Sequence, residues 1–322
     1  MSEKNELSIV VPAYNEASNL PVLVAQLADA VSAIVSRYEI IIVDDGSSDN
    51  TVHIVHQLQE HDQHIKLISL SRNFGHQAAL HAGLDYSTGE AVITMDADLQ
   101  HPPELIGQMI REYKNGYDLV LAERVFNNDN RKIKSIFSKL FYFILNKISN
   151  VEIRANVADF NLYGRKVLDV LKKMPEKDRF LRGLAQWIGF RKTYITYEAN
   201  KRYSGESKYG FGKMIKLAIT GITSFSALPL RLAWWFGLVV ILSGFIYGGY
   251  IVVEYVYFPE RLIAGWTSLI TVVLIIGGAQ LIILGIIGEY LFKMFYEVKG
   301  RPLYIISHME GFDNSFQVDK LL

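Results

Sequence analysis

The sequence predicts two unlike parts. The first is an α/β region with a mainly parallel sheet; the second is a pair of helices apolar enough to cross a bilayer. Two observations carry this reading. Between residues 7 and 122, short β-branched runs alternate with helically spaced segments, and each run ends in a polar turn. Near the C-terminus stand two charge-free stretches, Leu232 to Val253 with 22 residues and Leu269 to Gly288 with 20. A bilayer core needs about 20 apolar residues per helix. At 322 residues the chain has room for roughly two units.

Taken in order, Leu7 to Val11 is an apolar strand ending at Pro12-Ala13-Tyr14-Asn15-Glu16, and Asn19 to Val35 has helical spacing. Glu39 to Val43 is a second strand, closed by Asp44-Asp45-Gly46-Ser47-Ser48-Asp49, with a helix over Thr51 to Leu58. Ile65 to Leu70 is a third, closed by Ser71-Arg72-Asn73-Phe74-Gly75, with a helix over His76 to Asp85. Ala91 to Met95 is a fourth, and two carboxylates one residue apart, Asp96 and Asp98, stand where it runs out. Glu104 to Lys114 reads as a helix and Tyr117 to Ala122 as a further strand ending at Glu123-Arg124. Alternating strands and helices with short links imply a parallel sheet covered on both faces. All the polar turns then fall at the carboxyl ends of strands, where open α/β sheets bind ligands. There is no GxGxxG fingerprint and no P-loop.

Arg131 to Ile148 differs in character. Apolar residues recur at three-four spacing from Ile133 to Ile148, with Arg131, Lys132, Lys134, Lys139 and Lys147 among them. A basic amphipathic helix of this kind suits an anionic membrane surface. Lys213 to Ser226 is also helical in pattern. The expected organisation is therefore a sheet domain over 1–212, including the interfacial helix 131–148. A second interfacial helix at 213–230 follows, then a hairpin over 231–292 with spans at about 232–255 and 267–290, and a tail over 293–322. The link between spans holds one basic residue, Arg261. The flanks hold Lys208, Lys213, Lys216 and Arg231 before, and Lys293, Lys299 and Arg301 after. By the positive-inside rule both termini are expected in the cytoplasm. The polar N-terminus leads straight into a strand, so no signal peptide is expected. No charge stands mid-span, which argues against an ion pathway. Gly248-Gly249 and Gly277-Gly278 would permit close helix contact in a homo-oligomer.

Composition excludes several functions. The 33 basic and 33 acidic side chains cancel, so nothing points to nucleic acid as partner. The absence of cysteine rules out disulfides, thiolate catalysis and cysteine zinc sites. Two hard oxygen ligands stand where the fourth strand runs out. Asp96 and Asp98 suit Mg²⁺ or Mn²⁺ shared with a substrate's phosphates.

Ser8 to Glu16, Val43-Asp44-Asp45-Gly46-Ser47 and Met95 to Gln100 resemble family-2 glycosyltransferases of the GT-A, nucleotide-diphospho-sugar transferase, fold. Later blocks narrow the resemblance to polyprenyl-phosphate glycosyltransferases. These blocks are Ser71 to His76, Asp159-Phe160-Asn161-Leu162, Arg179 to Gly183, Gly205 to Tyr209, Gly221 to Ser226 and Ile287 to Tyr290. Dolichyl-phosphate mannose synthases and bacterial bactoprenol glucosyltransferases belong there, and the two-span hairpin is most like the bacterial branch. The likeness implies an inverting, metal-dependent enzyme on the cytoplasmic face of a bacterial inner membrane. It would move a sugar, glucose from UDP-glucose first among candidates, onto undecaprenyl phosphate. Other sugars, or a non-catalytic nucleotide-binding scaffold, are the alternatives.

The resemblance also implies roles. Pro12, Tyr14, Glu16, Val43 and Asp45 would hold the nucleoside. Asp96 and Ala97 would face the donor, while Asp98, with Gln100 nearby, would hold the metal. Arg202 and Lys208 would close over the diphosphate, and Arg72 suits either the donor or a structural ion pair. Arg124, Arg131 and Ser135 would bind the lipid phosphate, for which arginine's planar fork is well matched. Asp159 would stand near the acceptor as base or orienting group. Two residues depart from the pattern, Asn161 where arginine is common and His101 where aspartate is common; His76 and His101 carry no assigned role.

Overall fold

The computed structural model describes residues 5–125, 154, 157–174, 176, 181–198, 228–257 and 265–312. The expected interfacial helix at 131–148 and the helix over Lys213 to Ser226 lie outside these residues. The chain divides into two units, one of residues 1–210 and 302–322, the other of residues 211–301.

The first unit is built on one sheet. Its strands are β1 (Leu7–Ala13), β2 (Tyr38–Asp44), β3 (Ile65–Leu70), β4 (Ala91–Thr94), β5 (Leu119–Val125), β6 (Val157–Gly164), β7 (Lys192–Glu198) and β8 (Ile306–Glu310). The helices of this unit are α1 (Leu20–Ser32), α2 (Thr51–His61), α3 (His76–Tyr86), α4 (Ile106–Lys114), α5 (Arg165–Lys173) and α6 (Leu181–Trp187). A 3₁₀ turn at Pro103–Leu105 leads into α4. The spatial order is β7-β5-β6-β4-β1-β2-β3-β8. Strands β1 to β4 pair in parallel, while β6 runs antiparallel to β4 and β5, and β8 antiparallel to β3.

This order positions the site. The chain moves outward from β1 through β2 to β3, then returns to lay β4 on the other side of β1. The β1/β4 boundary is thus the topological switch point, where a crevice opens at the carboxyl ends of the strands. Because β6 is antiparallel to β4, its first residues lie at that same end. Asn161 pairs with Thr94, so Asp159 comes to the end of β4.

Both faces of the sheet are buried. Ile9, Val11, Ile40, Ile42 and Ile93 join Leu23 and Leu27 of α1 and Met109 of α4 in the main core. On the other face α3 lies close over β1, and a Cβ at Gly83 would meet Val10 at 2.2 Å. Glycine is therefore required for that approach. At the amino end of the strands Glu39 is buried, and it accepts hydrogen bonds from Ser8 Oγ and from the N–H and hydroxyl of Thr88, both at 2.8 Å. Lys66 Nζ stands 2.7 Å from its second oxygen. Burial alone would raise this carboxyl. The lysine charge and the hydrogen bonds outweigh burial and hold it below the ordinary glutamate range.

The C-terminal segment is not only a tail. β8 pairs with β3, Ser307 Oγ donates to Ser69 O at 3.0 Å, and Tyr304 donates to Asp85 at 2.8 Å. The sheet domain, expected to end at residue 212, thus takes its last strand from beyond the hairpin.

The second unit holds α7 (Leu228–Tyr257) and α8 (Trp266–Val298), of 30 and 33 residues. At 1.5 Å per residue they are about 45 and 50 Å long, enough to pass a bilayer's hydrocarbon core. Their apolar stretches, Leu232–Tyr250 and Ile275–Val298, have mean hydropathies of 1.7 and 1.8. Phe245 is 76% exposed and Leu281 71%. Length, hydropathy and outward-facing apolar side chains make both helices candidate membrane spans.

Candidate active site

The site is built from the turns that follow β1, β2, β3 and β4. The first two turns are laced together. Asn15, at φ 58°, donates its N–H to Ser47 Oγ at 2.9 Å, and its side-chain oxygen accepts from Ser48 N–H at 2.8 Å. Glu16 N–H donates to Thr51 Oγ1 at 2.9 Å, and Glu16 accepts from Asn19 Nδ2 at 2.5 Å. Tyr14 is 42% exposed, whereas Pro12 and Val43 are buried and stand opposite each other in the sheet.

Asp44 and Asp45 have different duties. Asp44 accepts from Ser47 N–H at 3.2 Å and closes its own turn. Asp45 reaches across to the next turn, where it accepts from Phe74 N–H at 2.7 Å and Gly75 N–H at 2.9 Å. Gly46, at φ +68°, lets these turns touch; a Cβ there would lie 2.6 Å from the Arg72 carbonyl carbon. Burial pushes both carboxyls above the ordinary aspartate range, with the backbone donors opposing it. Arg72 donates to Asn73 O at 3.0 Å and stacks its guanidinium 4.0 Å from the Phe74 ring centroid. Neither contact is the carboxylate pairing that a structural ion pair needs.

After β4 the chain strains. Leu99 is held at φ 62°, a left-handed backbone costly for a bulky residue. That kink separates Asp98, whose carboxylate accepts Gln100 N–H at 3.2 Å, from Gln100 itself. Gln100 Oε1 accepts from Arg124 at 3.1 Å, which joins the turn after β4 to the end of β5. The amide oxygen that a metal would use is thus turned to a cation. Ala97 is buried beneath the turn.

Two histidines bracket Asp96. His101 Nδ1 accepts Asp96 N–H at 3.1 Å, and its Nε2 lies 3.7 Å from Asp96 Oδ2. The ring is stacked on Phe160 at 5.0 Å and meets Tyr197 edge-on at 5.8 Å. From the other side His76 Nε2 stands 3.3 Å from Asp96 Oδ1 and 3.2 Å from Asp159 Oδ2. Only the contact to Asp159 is aligned as a hydrogen bond, and Asp96 Oδ1 is buried without one. Gln77 donates to Asp159 at 3.4 Å, and Thr94 Oγ1 donates to Asp159 O at 2.6 Å.

The structure therefore brings Asp96, Asp98, Gln100, Arg124 and Asp159 to one end of the sheet. Asp45 lies nearby, tied to the turn before His76. Arg131, Ser135, Arg202 and Lys208 lie outside the described residues. Asn161, which departs from arginine, is buried; it accepts Ala122 N–H at 3.2 Å and donates to Ala158 O at 2.8 Å, holding the irregular β5–β6 pairing. His76 and His101 carried no role in the sequence reading. Their positions directly after polar turns at strand ends were the available signal. Among the described residues, no three His, Asp or Glu side chains converge as a self-sufficient metal site. One carboxylate completed by substrate phosphates and water is the arrangement that Mg²⁺ usually takes.

Comparison with known proteins agrees with this geometry. The family model described as Glycosyl transferase family 2 matches residues 8–171. A protein named as an uncharacterized glycosyltransferase, YkcC, of Bacillus subtilis is 41% identical over 98% of this chain and 97% of its own. A second uncharacterized glycosyltransferase, from Synechocystis, is 40% identical over 96% of each chain. The bactoprenol glucosyl transferase of Shigella phage SfX is 37% identical over 94% of this chain and 98% of its own. A solved glucosyl-3-phosphoglycerate synthase from Mycobacterium tuberculosis aligns over 69% of this chain and 78% of its own. Its identity is 15% and its TM-score 0.45, a distance at which nothing about ligands transfers. The strand-end carboxylates at the β1/β4 crevice fall inside the matched region, and relatives align nearly end to end: the chain is a glycosyltransferase and belongs to glycosyl transferase family 2.

Proposed function

We propose that this enzyme transfers glucose from UDP-glucose to undecaprenyl phosphate at the cytoplasmic face of a bacterial inner membrane, with inversion at the sugar. The observation that carries the reading is a conjunction in one chain. Asp96 and Asp98 end β4 at the switch point of a glycosyltransferase sheet, and two long apolar helices with outward-facing side chains follow. Near full-length similarity to proteins named bactoprenol glucosyl transferase supports glucose and a polyprenyl acceptor.

The chemistry is a single displacement. A phosphate oxygen of the lipid attacks the anomeric carbon, the bond from that carbon to the β-phosphate oxygen breaks, and UDP leaves. A phosphomonoester has its second pKa near 6, so the acceptor is largely a dianion at pH 7. Dianionic acceptor and UDP-glucose become a phosphodiester and a UDP trianion, and no proton has to move. Asp159 then orients groups rather than removing a proton. Asp96, whose side chain is 31% exposed at the strand end, is suited to a donor hydroxyl. Asp98 would hold Mg²⁺ or Mn²⁺, which neutralises charge on the diphosphate leaving group when bound. Gln100 steadies Arg124, whose guanidinium is suited to a phosphate. Tyr14 and the Asp45 turn would form the nucleoside side of the crevice, and Arg131, Ser135, Arg202 and Lys208, outside the described residues, would supply the further phosphate contacts that the resemblance implies.

The topology fits a membrane hairpin. β8 belongs to the same sheet as β1, so the chain before and after α7 and α8 ends in one compartment. A hairpin of that kind crosses a bilayer an even number of times, consistent with both termini in the cytoplasm.

The test is incubation of purified protein with undecaprenyl phosphate, Mn²⁺ and a panel of nucleotide sugars, followed by weighing the lipid product. A hexose added from UDP-glucose alone supports the reading. A product with another sugar changes the donor, and no lipid product from any donor overturns the reading.

A further inference from the structure

His76 is the first residue of α3, and its ring lies where three strand ends meet. The turn before it is pinned by Asp45, which accepts the N–H groups of Phe74 and Gly75. Its Nε2 lies 3.2 Å from Asp159 Oδ2 and 3.3 Å from Asp96 Oδ1. One N–H cannot be aligned with two acceptors at once, and here it is aligned with Asp159. Asp96 is held from behind by its main chain, because the Asp96 N–H donates to His101 Nδ1. That bond makes Nδ1 an acceptor and leaves the proton of a neutral His101 on Nε2, facing Asp96 Oδ2. The Asp159 backbone is fixed independently by Thr94 Oγ1. What His76 controls is therefore the direction of the two carboxylates, not the path of the chain.

We propose that His76 is a positioning residue: one imidazole nitrogen ties the acceptor-side carboxylate, Asp159, to the donor-side carboxylate, Asp96, and sets their separation for transfer. This rests on the reading of Asp96 as donor-facing and Asp159 as acceptor-facing. The nitrogen holds Asp159 by a hydrogen bond and stands 3.3 Å from Asp96 Oδ1. A positioning residue acts through the two carboxylates, so its loss falls on the rate of transfer within the bound complex. The side chain is 43% exposed, and α3 is secured by buried Ala79, Leu80 and Leu84, so removal of the ring leaves the helix in place.

Two variants test this in the full-length protein. His76→Phe keeps ring volume and removes the donor; His76→Gln restores an N–H at similar reach. With UDP-glucose and undecaprenyl phosphate, His76→Phe is expected to lower kcat roughly ten- to a hundredfold, the scale of one hydrogen bond to a charged group. Both KM values stay within about threefold, because the hydrogen bond lost is not made to either substrate. His76→Gln is expected to recover most of kcat. Wild-type kcat in the Phe variant, a change confined to KM, or equal loss in both variants overturns the proposal. A second measurement does not depend on turnover. In protein labelled with ¹⁵N-histidine, NMR should show the His76 proton on Nε2 and a shift of that nitrogen in Asp159→Asn. A proton on Nδ1 alone, or no response to Asp159→Asn, overturns the tie even where the wild type makes no product. Absence of product with the expected NMR result instead rejects the substrate assignment.

Discussion

The two ends of one sheet handle buried carboxylates in opposite ways. At the amino end, Glu39 accepts from Ser8 and Thr88 and sits on Lys66 at 2.7 Å; its pKa is lowered. At the carboxyl end, Asp44 and Asp45 have raised pKa values, and Asp96 keeps a buried oxygen without a hydrogen bond. Depth does not separate the cases, since Glu39, Asp44 and Asp45 are each no more than 3% exposed. What separates them is the kind of partner. Glu39 is met by the Lys66 ammonium as well as by hydrogen bonds, whereas Asp44 and Asp45 are offset chiefly by backbone N–H donors. Asp96, close by, shares an imidazole with Asp159 beside the strained Leu99.

The largest expected effect is at the open end. Asp98→Asn should lower transfer about a thousandfold, since metal stabilisation of a leaving group is worth several kcal/mol and an amide binds hard cations weakly. The melting temperature should hardly move. Full activity in Mg²⁺ or Mn²⁺ would take Asp98 out of the metal site.

Glu39→Gln should do the reverse. It leaves Lys66, largely buried, without its counter-charge, at a cost of about 3 kcal/mol in stability. Denaturant unfolding would measure this, and the folded fraction should keep wild-type kcat. A variant of normal stability and poor activity would break the division between the ends.

Asp45→Asn tests a residue between these extremes. It should raise the KM for UDP-glucose roughly ten- to a hundredfold, the scale of one charge-assisted hydrogen bond, and spare the KM for polyprenyl phosphate. Titrating each substrate separately decides it; an equal rise in both would make Asp45 a strut of the turns and nothing more.

Much of this contrast was legible in the sequence. β1 to β4 are apolar runs followed by turn residues, so their order and the carboxylates at their ends could be read directly. β8 could not: Ile306 to Glu310 is short and mostly polar, and its partner β3 lies on the far side of the hairpin in sequence. The bridge from Asp45 to Phe74 and Gly75 depends on how two turns meet, which no local pattern encodes. His76 was visible as a residue but not as a hub, because Asp159 reaches it only through the antiparallel course of β6.

The smallest effect is in pH dependence. Glu39 has a lowered pKa, so its stabilisation is complete above about 4.3 and is lost as pH falls through the lowered value. Asp45 has a raised pKa, so its contribution is complete below about 3.9 and is lost as pH rises through the raised value. Glu39→Gln should therefore reduce the stability lost on acidification, and Asp45→Asn should reduce that lost on raising pH through the carboxylate range. Unfolding free energies measured from pH 3 to 7 should show the opposite signs; slopes of one sign in both would contradict the assignment.

Amide hydrogen exchange of the full-length protein, with and without UDP-glucose and Mn²⁺, compares the two ends in one experiment. The expected result is protection at residues 13–16, 45–49, 72–77 and 96–101, and no change at 36–39, 64–66 and 87–90. Protection confined to the amino-end segments would contradict the account, because the donor would then bind at the end of the sheet away from Asp96 and Asp98.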